Sequence, residues 1–347
     1  MNGFEDDDFP DSDLEGLEGP GDTLETRPGA PDRWKVSAKA AGQRLDVYLA
    51  KVYKTTRSQV ARWIQEGRVV LADRRAKAGI KLDGGEWISC DPRSPSQEGR
   101  VEPEDGELTI LHEDEHLVVL DKPARIAVHP GAGRPDGTIA NRLLARYPET
   151  GAVGGPGRPG IVHRLDLGTS GVMVVARTAT AHLALANAFA ERRVKKTYLA
   201  IGYGAPADAE GTVVAPIARH AQRRKEMTVL LSGRPAETKY RVLGTENGIS
   251  VFELTPVTGR THQIRVHLKH IGHPIVGDPV YGEARWKGLA KASHRILRDF
   301  DRPALHARRL ELDHPETGES CSFEAPVPED MKGLWREVAG REWPEEV

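Results

Sequence analysis

The stretch from Asp91 to Gly106 constrains this chain most. It is rich in Pro, Ser and acidic residues and carries no apolar periodicity, so it suits a flexible linker. Segments on both sides do carry periodic apolar residues, and the chain must therefore build two cores. The expected boundaries are an acidic tail over 1–32, a first domain over 33–92, the linker over 93–106, a second domain over 107–335 and a carboxy-terminal tail over 336–347.

In the first domain Leu45, Leu49 and Val52 mark one helical face, and Val60, Trp63 and Ile64 mark another after the break at Thr55-Thr56. Short strands at Val69–Leu71 and Trp87–Ser89 follow, the second entered through Asp83-Gly84-Gly85. The second domain offers strands at Leu117–Leu120, Val172–Ala176, Lys196–Ile201, Thr238–Leu243 and Ser250–Leu254. Helices are predicted from Ala179 to Arg192 and from Thr261 to Ile271. Many strands and few helices predict an α+β fold, built on a largely antiparallel mixed sheet with flanking helices.

The net charge of −2 hides an asymmetry, because residues 1–32 hold eleven Asp and Glu against Arg27 alone. That segment carries −10 and leaves about +8 for the rest, a balance that favours polyanionic partners. With few large apolar side chains the tail cannot repay its ordering entropy, and a solubilising extension is expected rather than a mimic of RNA. Cys90 and Cys321 fit no paired metal or redox spacing. No apolar run approaches the roughly 20 residues that span a bilayer, so no membrane is expected and the cytoplasm is the predicted compartment.

Three segments can carry chemistry. Gly160 to Gly171 sets His163, Arg164 and Asp166 between an apolar strand start and a Gly-flanked turn, as a reactive loop or a salt-bridged one. Gly259 to His267 leads from a turn into a helix, with His262 and Arg265 three residues apart, able to offer a guanidinium to a carboxylate or phosphate. Arg192 to Tyr198 runs from basic residues into a strand whose tyrosine either stacks on a base or packs in the core.

Together these segments resemble the RluA-type pseudouridine synthases, whose signatures appear in order as His163 to Gly171, Lys196 to Tyr198 and Gly259 to Arg265. The likeness continues through His273 to Asp278 and Leu305-His306-Ala307 to Phe323–Pro326, covering about residues 107–330. The first domain resembles the small α/β RNA-binding domain named after ribosomal protein S-four. Arg44-Leu45-Asp46, Arg57 to Val60, Ile64, Gly67 and Val69 carry that match, with Ala72-Asp73 where an Asn-Gly turn is usual.

The resemblance implies isomerisation of uridine in structured RNA without cofactor or metal, and the amino-terminal domain points to large-subunit ribosomal RNA or assembling subunits. It assigns the catalytic carboxylate to Asp166, to add at C1′ or abstract at C2′. Arg265 would favour its ionised form, and Tyr198 would stack on the uracil and assist loss of the C5 proton. Base flipping follows, with Arg164 filling the vacated space and His163 supporting the loop. Arg260 and His262 are candidates for phosphate contact or support, and Lys195 and Lys196 for a phosphate-binding surface. Arg44, Arg57, Ser58 and Arg62 are candidate phosphate contacts of the first domain. The competing readings are a tRNA-directed synthase and a non-catalytic ribosome-assembly factor, with a monomer as the default state.

Other motifs fail on context. Gly155 to Gly160 matches a dinucleotide-binding glycine pattern, but it holds two prolines and precedes a strand-like run. His163 to Asp166 lacks the spacing of a kinase loop. His267, His270 and His273 precede Pro274 and sit in no His-Glu-x-x-His setting.

Overall fold

The computed structural model describes residues 31–91 and 101–344, apart from 54, 56, 73, 78, 132, 133, 156, 224 and 225 and the side chains of Ser58 and Arg74. Two compact units divide between Glu98 and Gly99.

The first unit contains β1 (Asp32–Lys35), α1 (Leu45–Val52), α2 (Arg57–Gln65), β2 (Val69–Leu71), β3 (Arg74–Arg75) and β4 (Trp87–Cys90). Its antiparallel sheet has the order β1-β4-β2-β3. The expected helical faces meet here, with Leu45, Leu49, Val60, Trp63 and Ile64 buried against Trp34, Val69 and Ile88. Ala72 takes the left-handed turn conformation (φ 49°) where Asn-Gly is usual, and β2 and β3 still pair through Leu71 and Arg74. The acidic tail lies outside the described residues up to residue 30. Its last residue belongs to the fold, since Asp32 pairs with Cys90 and accepts a 3.1 Å hydrogen bond from Tyr53.

The second unit begins with β5 (Thr109–Glu113), β6 (Leu117–Lys122), α3 (Ile139–Arg146), β7 (Ser170–Ala176), α4 (Ala179–Ala190) and β8 (Lys195–Tyr203). It continues through β9 (Glu210–Val214), β10 (Ile217–Arg219), β11 (Met227–Val229), β12 (Glu237–Glu246), β13 (Ile249–Pro256) and α5 (Gln263–His270). It closes with α6 (His294–Asp299), β14 (Leu305–Asp313), β15 (Ser320–Glu324) and α7 (Glu329–Ala339). The large sheet runs β5-β6-β7-β14-β8-β13-β12-β9, with β15 beside β14. Its pairings are antiparallel except β14 with β7, which gives the expected mixed α+β sheet. Every residue of β7 is buried, as a strand covered on both faces requires.

Two expected boundaries move. Residues 92–100 of the linker lie outside the described residues, but 101–106 pack on the second unit. Val101 is buried with Ile139 and Leu143, and Asn141 Nδ2 donates to the Glu102 carbonyl at 2.9 Å. At the other end, the boundary at 335 falls inside α7. Trp335 and Val338 are buried, and Trp335 Nε1 donates to the Glu342 carbonyl at 2.9 Å, so the expected tail is folded at least that far.

Candidate active site

The loop that bears Asp166 is held at both ends. Gly171 (φ 115°), second in β7, pairs with Ala307 of β14, and a Cβ there would lie 2.1 Å from the Ala307 carbonyl oxygen. Only glycine allows that approach. The hydroxyl of Ser170 bonds Nδ1 of the buried His306 at 2.9 Å. Arg302, also buried, donates to the Gly168, Pro303 and Leu305 carbonyls while a bidentate pair at 2.6 and 2.7 Å ties it to Asp330 of α7. At the near end His163 accepts the Val174 amide at Nε2 (3.0 Å) and stacks on Phe189 at 4.5 Å. Burial pushes its pKa down to about 3, so it supports the loop as a neutral ring.

Arg265 organises the centre. Its Nε and Nη2 donate to Asp278 at 2.6 and 2.9 Å, and its Nη1 donates to Asp166 Oδ2 at 2.8 Å. Burial opposes the charge on Arg265, but hydrogen bonds and attraction from Asp278 and Asp166 outweigh it and raise its pKa. The same pairing holds Asp278 below the ordinary carboxylate range despite its burial. Asp278 also accepts the Val280 and Tyr281 amides, each at 2.9 Å. With its anchor saturated, the guanidinium has one defined edge for Asp166, whose side chain keeps 24% of its surface exposed.

Tyr198 stands on β8, half-buried. Burial and the neighbouring Asp166 raise its pKa, so its hydroxyl keeps its proton at neutral pH. His262 precedes α5 in the left-handed conformation (φ 56°), so the expected helix from Thr261 begins at Gln263 instead. That turn brings His262 Nε2 to 3.8 Å from Asp166 Oδ2. Arg260 supports the turn, its amide donating to Gln263 Oε1 at 3.0 Å and its Nε to the Pro235 carbonyl at 3.2 Å. Arg164 is exposed beside Asp166 in the chain.

The remaining candidates make other contacts. Lys195 pairs with Glu311 at 3.0 Å, and the Lys196 ammonium sits 6.0 Å from the Phe189 ring centroid. In the first unit Arg44 and Arg57 both donate to the buried Asp46. Arg62 pairs with Glu66 one helical turn on, at 2.8 Å. The side chain of Ser58 is outside the described residues. His267 and His273, weighed as metal ligands, bond instead to Thr238 and the Ala215 carbonyl and to the Tyr203 carbonyl.

Sequence reasoning quoted Asp278, Arg302's neighbour Leu305 and His306 without assigning them roles, and it passed over Tyr281 and Lys122. Lys122 is fully buried, donates to the Pro123 and Ile126 carbonyls at 2.8 and 2.9 Å, and is pushed down to about 7 by burial, against the pull of Asp166. A lysine closing a strand that opens with four apolar residues was the available signal.

Residues 116–270 match the RNA pseudouridylate synthase family, and residues 43–88 match the S4 domain. The chain is 45% identical to ribosomal large subunit pseudouridine synthase D of Xanthomonas campestris, over 86% of this chain and 90% of that protein. It is 43% identical to the protein of the same name from Pseudomonas aeruginosa, over 87% and 93%. Among solved structures, human RNA pseudouridylate synthase domain containing 4 is 28% identical with a TM-score of 0.53, covering 68% of this chain and 95% of that one. Human RNA pseudouridylate synthase domain containing 1 is 30% identical with a TM-score of 0.51, covering 65% and 86%. By these likenesses the chain belongs to the RNA pseudouridylate synthase family, as an RNA pseudouridine synthase with an S4 RNA-binding domain.

Proposed function

We propose that this enzyme isomerises uridines of large-subunit ribosomal RNA to pseudouridine, acting as a monomer in the cytoplasm, with Asp166 as its reacting carboxylate. The observation that carries the chemistry is the 2.8 Å bond from Arg265 to Asp166, made by a guanidinium that Asp278 already fixes. A carboxylate held in one rotamer at a partly open site is prepared to add at C1′ or to take a proton from C2′. In either route the N1–C1′ bond breaks with its electron pair leaving on the base; C5 then bonds to C1′ as the Asp166 ester is displaced or the proton is returned to C2′, and the C5 hydrogen is lost while N1 takes up a proton. In this reading Tyr198 of β8, whose pKa burial and Asp166 raise, stacks on the uracil, and as a phenol it offers a hydrogen bond rather than a phenolate base.

A uridine inside a helix cannot reach Asp166, so the target leaves its stack at a cost of a few kcal/mol, and exposed Arg164 fills the space. Arg44 and Arg57 of the S4 domain supply backbone contacts. The substrate rests on the relatives named for the ribosomal large subunit, which match most of this chain. The test is tritium release from RNA labelled at uridine C5, offered as large-subunit RNA, assembling large subunits or tRNA. Release from large-subunit RNA or its assembling particle supports the reading, and release from tRNA alone replaces it with a tRNA-directed enzyme.

A further inference from the structure

Tyr281 is 2% exposed and touches several parts of the site at once. Its ring lies under Arg265, with the guanidinium carbon 4.9 Å from the ring centroid. Its amide is one of those bound by Asp278. Its hydroxyl oxygen accepts the Met227 amide at 2.7 Å and lies 2.7 Å from His262 Nδ1. Met227 opens β11, so the hydroxyl also ties the small β10–β11 hairpin to the site.

These contacts decide where the protons are. The Met227 amide has no choice but to donate, so it occupies the tyrosine oxygen as acceptor. Burial holds the Tyr281 hydroxyl protonated, and that single hydrogen needs an acceptor. His262 Nδ1 at 2.7 Å is placed to accept it, whereas a proton on Nδ1 would set two donors against one oxygen and leave the hydroxyl hydrogen unused. Nδ1 is therefore the lone-pair nitrogen, and the ring proton of neutral His262 sits on Nε2. Burial favours the neutral ring.

Nε2 is the nitrogen 3.8 Å from Asp166 Oδ2, beyond hydrogen-bond length, and the two side chains keep 20% and 24% of their surfaces exposed. The left-handed backbone at His262 is what points the ring this way, and such conformations persist where the surroundings enforce them. We infer that Tyr281 is a positioning residue that locks His262 in its Nε2–H tautomer, so that His262 presents a hydrogen-bond donor to the reacting nucleotide beside Asp166. The acceptor class is a carbonyl oxygen of the detached uracil, which gains negative charge when it departs with the glycosidic electron pair. No proton changes hands: His262 donates a hydrogen bond and keeps its hydrogen. This inference rests on Asp166 being the reacting carboxylate.

The tautomer is measured first on RNA-free protein, by ¹⁵N NMR of the histidine-labelled full chain, with His262 assigned from its disappearance in His262→Gln. The expected signal shows an unprotonated Nδ1 and a protonated Nε2, and Tyr281→Phe, which keeps the ring under Arg265, mixes the tautomers. Single-turnover tritium release then falls about five- to tenfold in Tyr281→Phe, the worth of one neutral hydrogen bond, with RNA affinity unchanged. His262→Ala falls on the order of a hundredfold, and His262→Gln, which restores a donor near Nε2, recovers much of it. A wild-type His262 protonated at Nδ1 overturns the inference, as does a Tyr281→Phe protein with unaltered tautomer and rate. If the tautomer is as expected but Asp166→Asn remains active, the assignment of Asp166 fails while the role of Tyr281 in the ring's protonation stands.

Discussion

The two units each build an arginine–aspartate cluster, and the two are inverted copies of one another. In the S4 domain one buried carboxylate, Asp46, holds two arginines whose side chains stay 48% and 60% exposed. In the catalytic unit one buried guanidinium, Arg265, holds two carboxylates, one fully buried and one open to the site. The same ion pair thus serves opposite ends. In the function proposed above, a buried anchor of one sign presents the other sign to the RNA: cation to phosphate in the first unit, carboxylate to ribose in the second. Length and planarity suit arginine to both, since its fork satisfies an anchor and keeps a donor in hand.

Removing the anchors is the sharpest way to break this symmetry. Asp278→Ala removes the buried partner of Arg265, leaving the guanidinium to the partly exposed Asp166, and should lower unfolding free energy by about 3–5 kcal/mol in urea titration. Tritium release should fall on the order of a hundredfold as Arg265 loses its orientation. Wild-type stability and rate in that variant would show that Arg265 needs no anchor.

Histidines separate the units further, because all thirteen lie in the catalytic unit. His163, His129 and His306 are pushed down by burial to about 3, 4 and 4 from 6.5. As pH falls below about 6.5 the unfolded chain takes up these protons first, so folded-state stability drops until the folded pKa is reached. Between pH 6.5 and 5 each costs on the order of 1–2 kcal/mol. Pulse proteolysis in graded urea, with fragments assigned by mass, should find the catalytic unit weakened at pH 5 relative to pH 7 and the S4 domain little changed. An equal loss in both would locate the acid sensitivity elsewhere.

Smaller effects belong to the exposed arginines. Arg44→Ala with Arg57→Ala should weaken RNA binding about tenfold at moderate salt and flatten the salt dependence by one to two phosphate contacts. Arg62→Ala, whose partner Glu66 is its i,i+4 neighbour just past the end of α2, should change affinity no more than about twofold. A larger loss from Arg62 than from the pair would mean that Asp46 does not organise the RNA-facing cations.

Much of this was legible in sequence because it is local. The buried face of α1, the apolar run of β7 and the loop bearing Asp166 each announce themselves within a dozen residues. The central strand β14 did not, because Arg308, Arg309 and Glu311 disguise it. Arg308 and Arg309 pair with Glu324 of the next strand, β15, and Glu311 with Lys195 of the distant β8, so the charges are compensated only once the sheet assembles. The partnership of Asp166 with Arg265 was expected from the resemblance, but its anchor was not. Asp278 lies thirteen residues beyond Arg265, past a helix end and a turn, and no periodicity links the two. Nor could the sequence give the left-handed backbone at His262 on which the ring's direction depends.

The most direct measurement compares wild-type protein with Asp166→Asn in single-turnover tritium release from C5-labelled large-subunit RNA, with RNA affinity measured in parallel. The side chains are nearly the same size, so Arg265 and the fold should tolerate the change and binding should persist. Release by the wild type and none by Asp166→Asn, at matched occupancy, is the expected result. Comparable release by both would contradict the assignment of Asp166 as the reacting carboxylate.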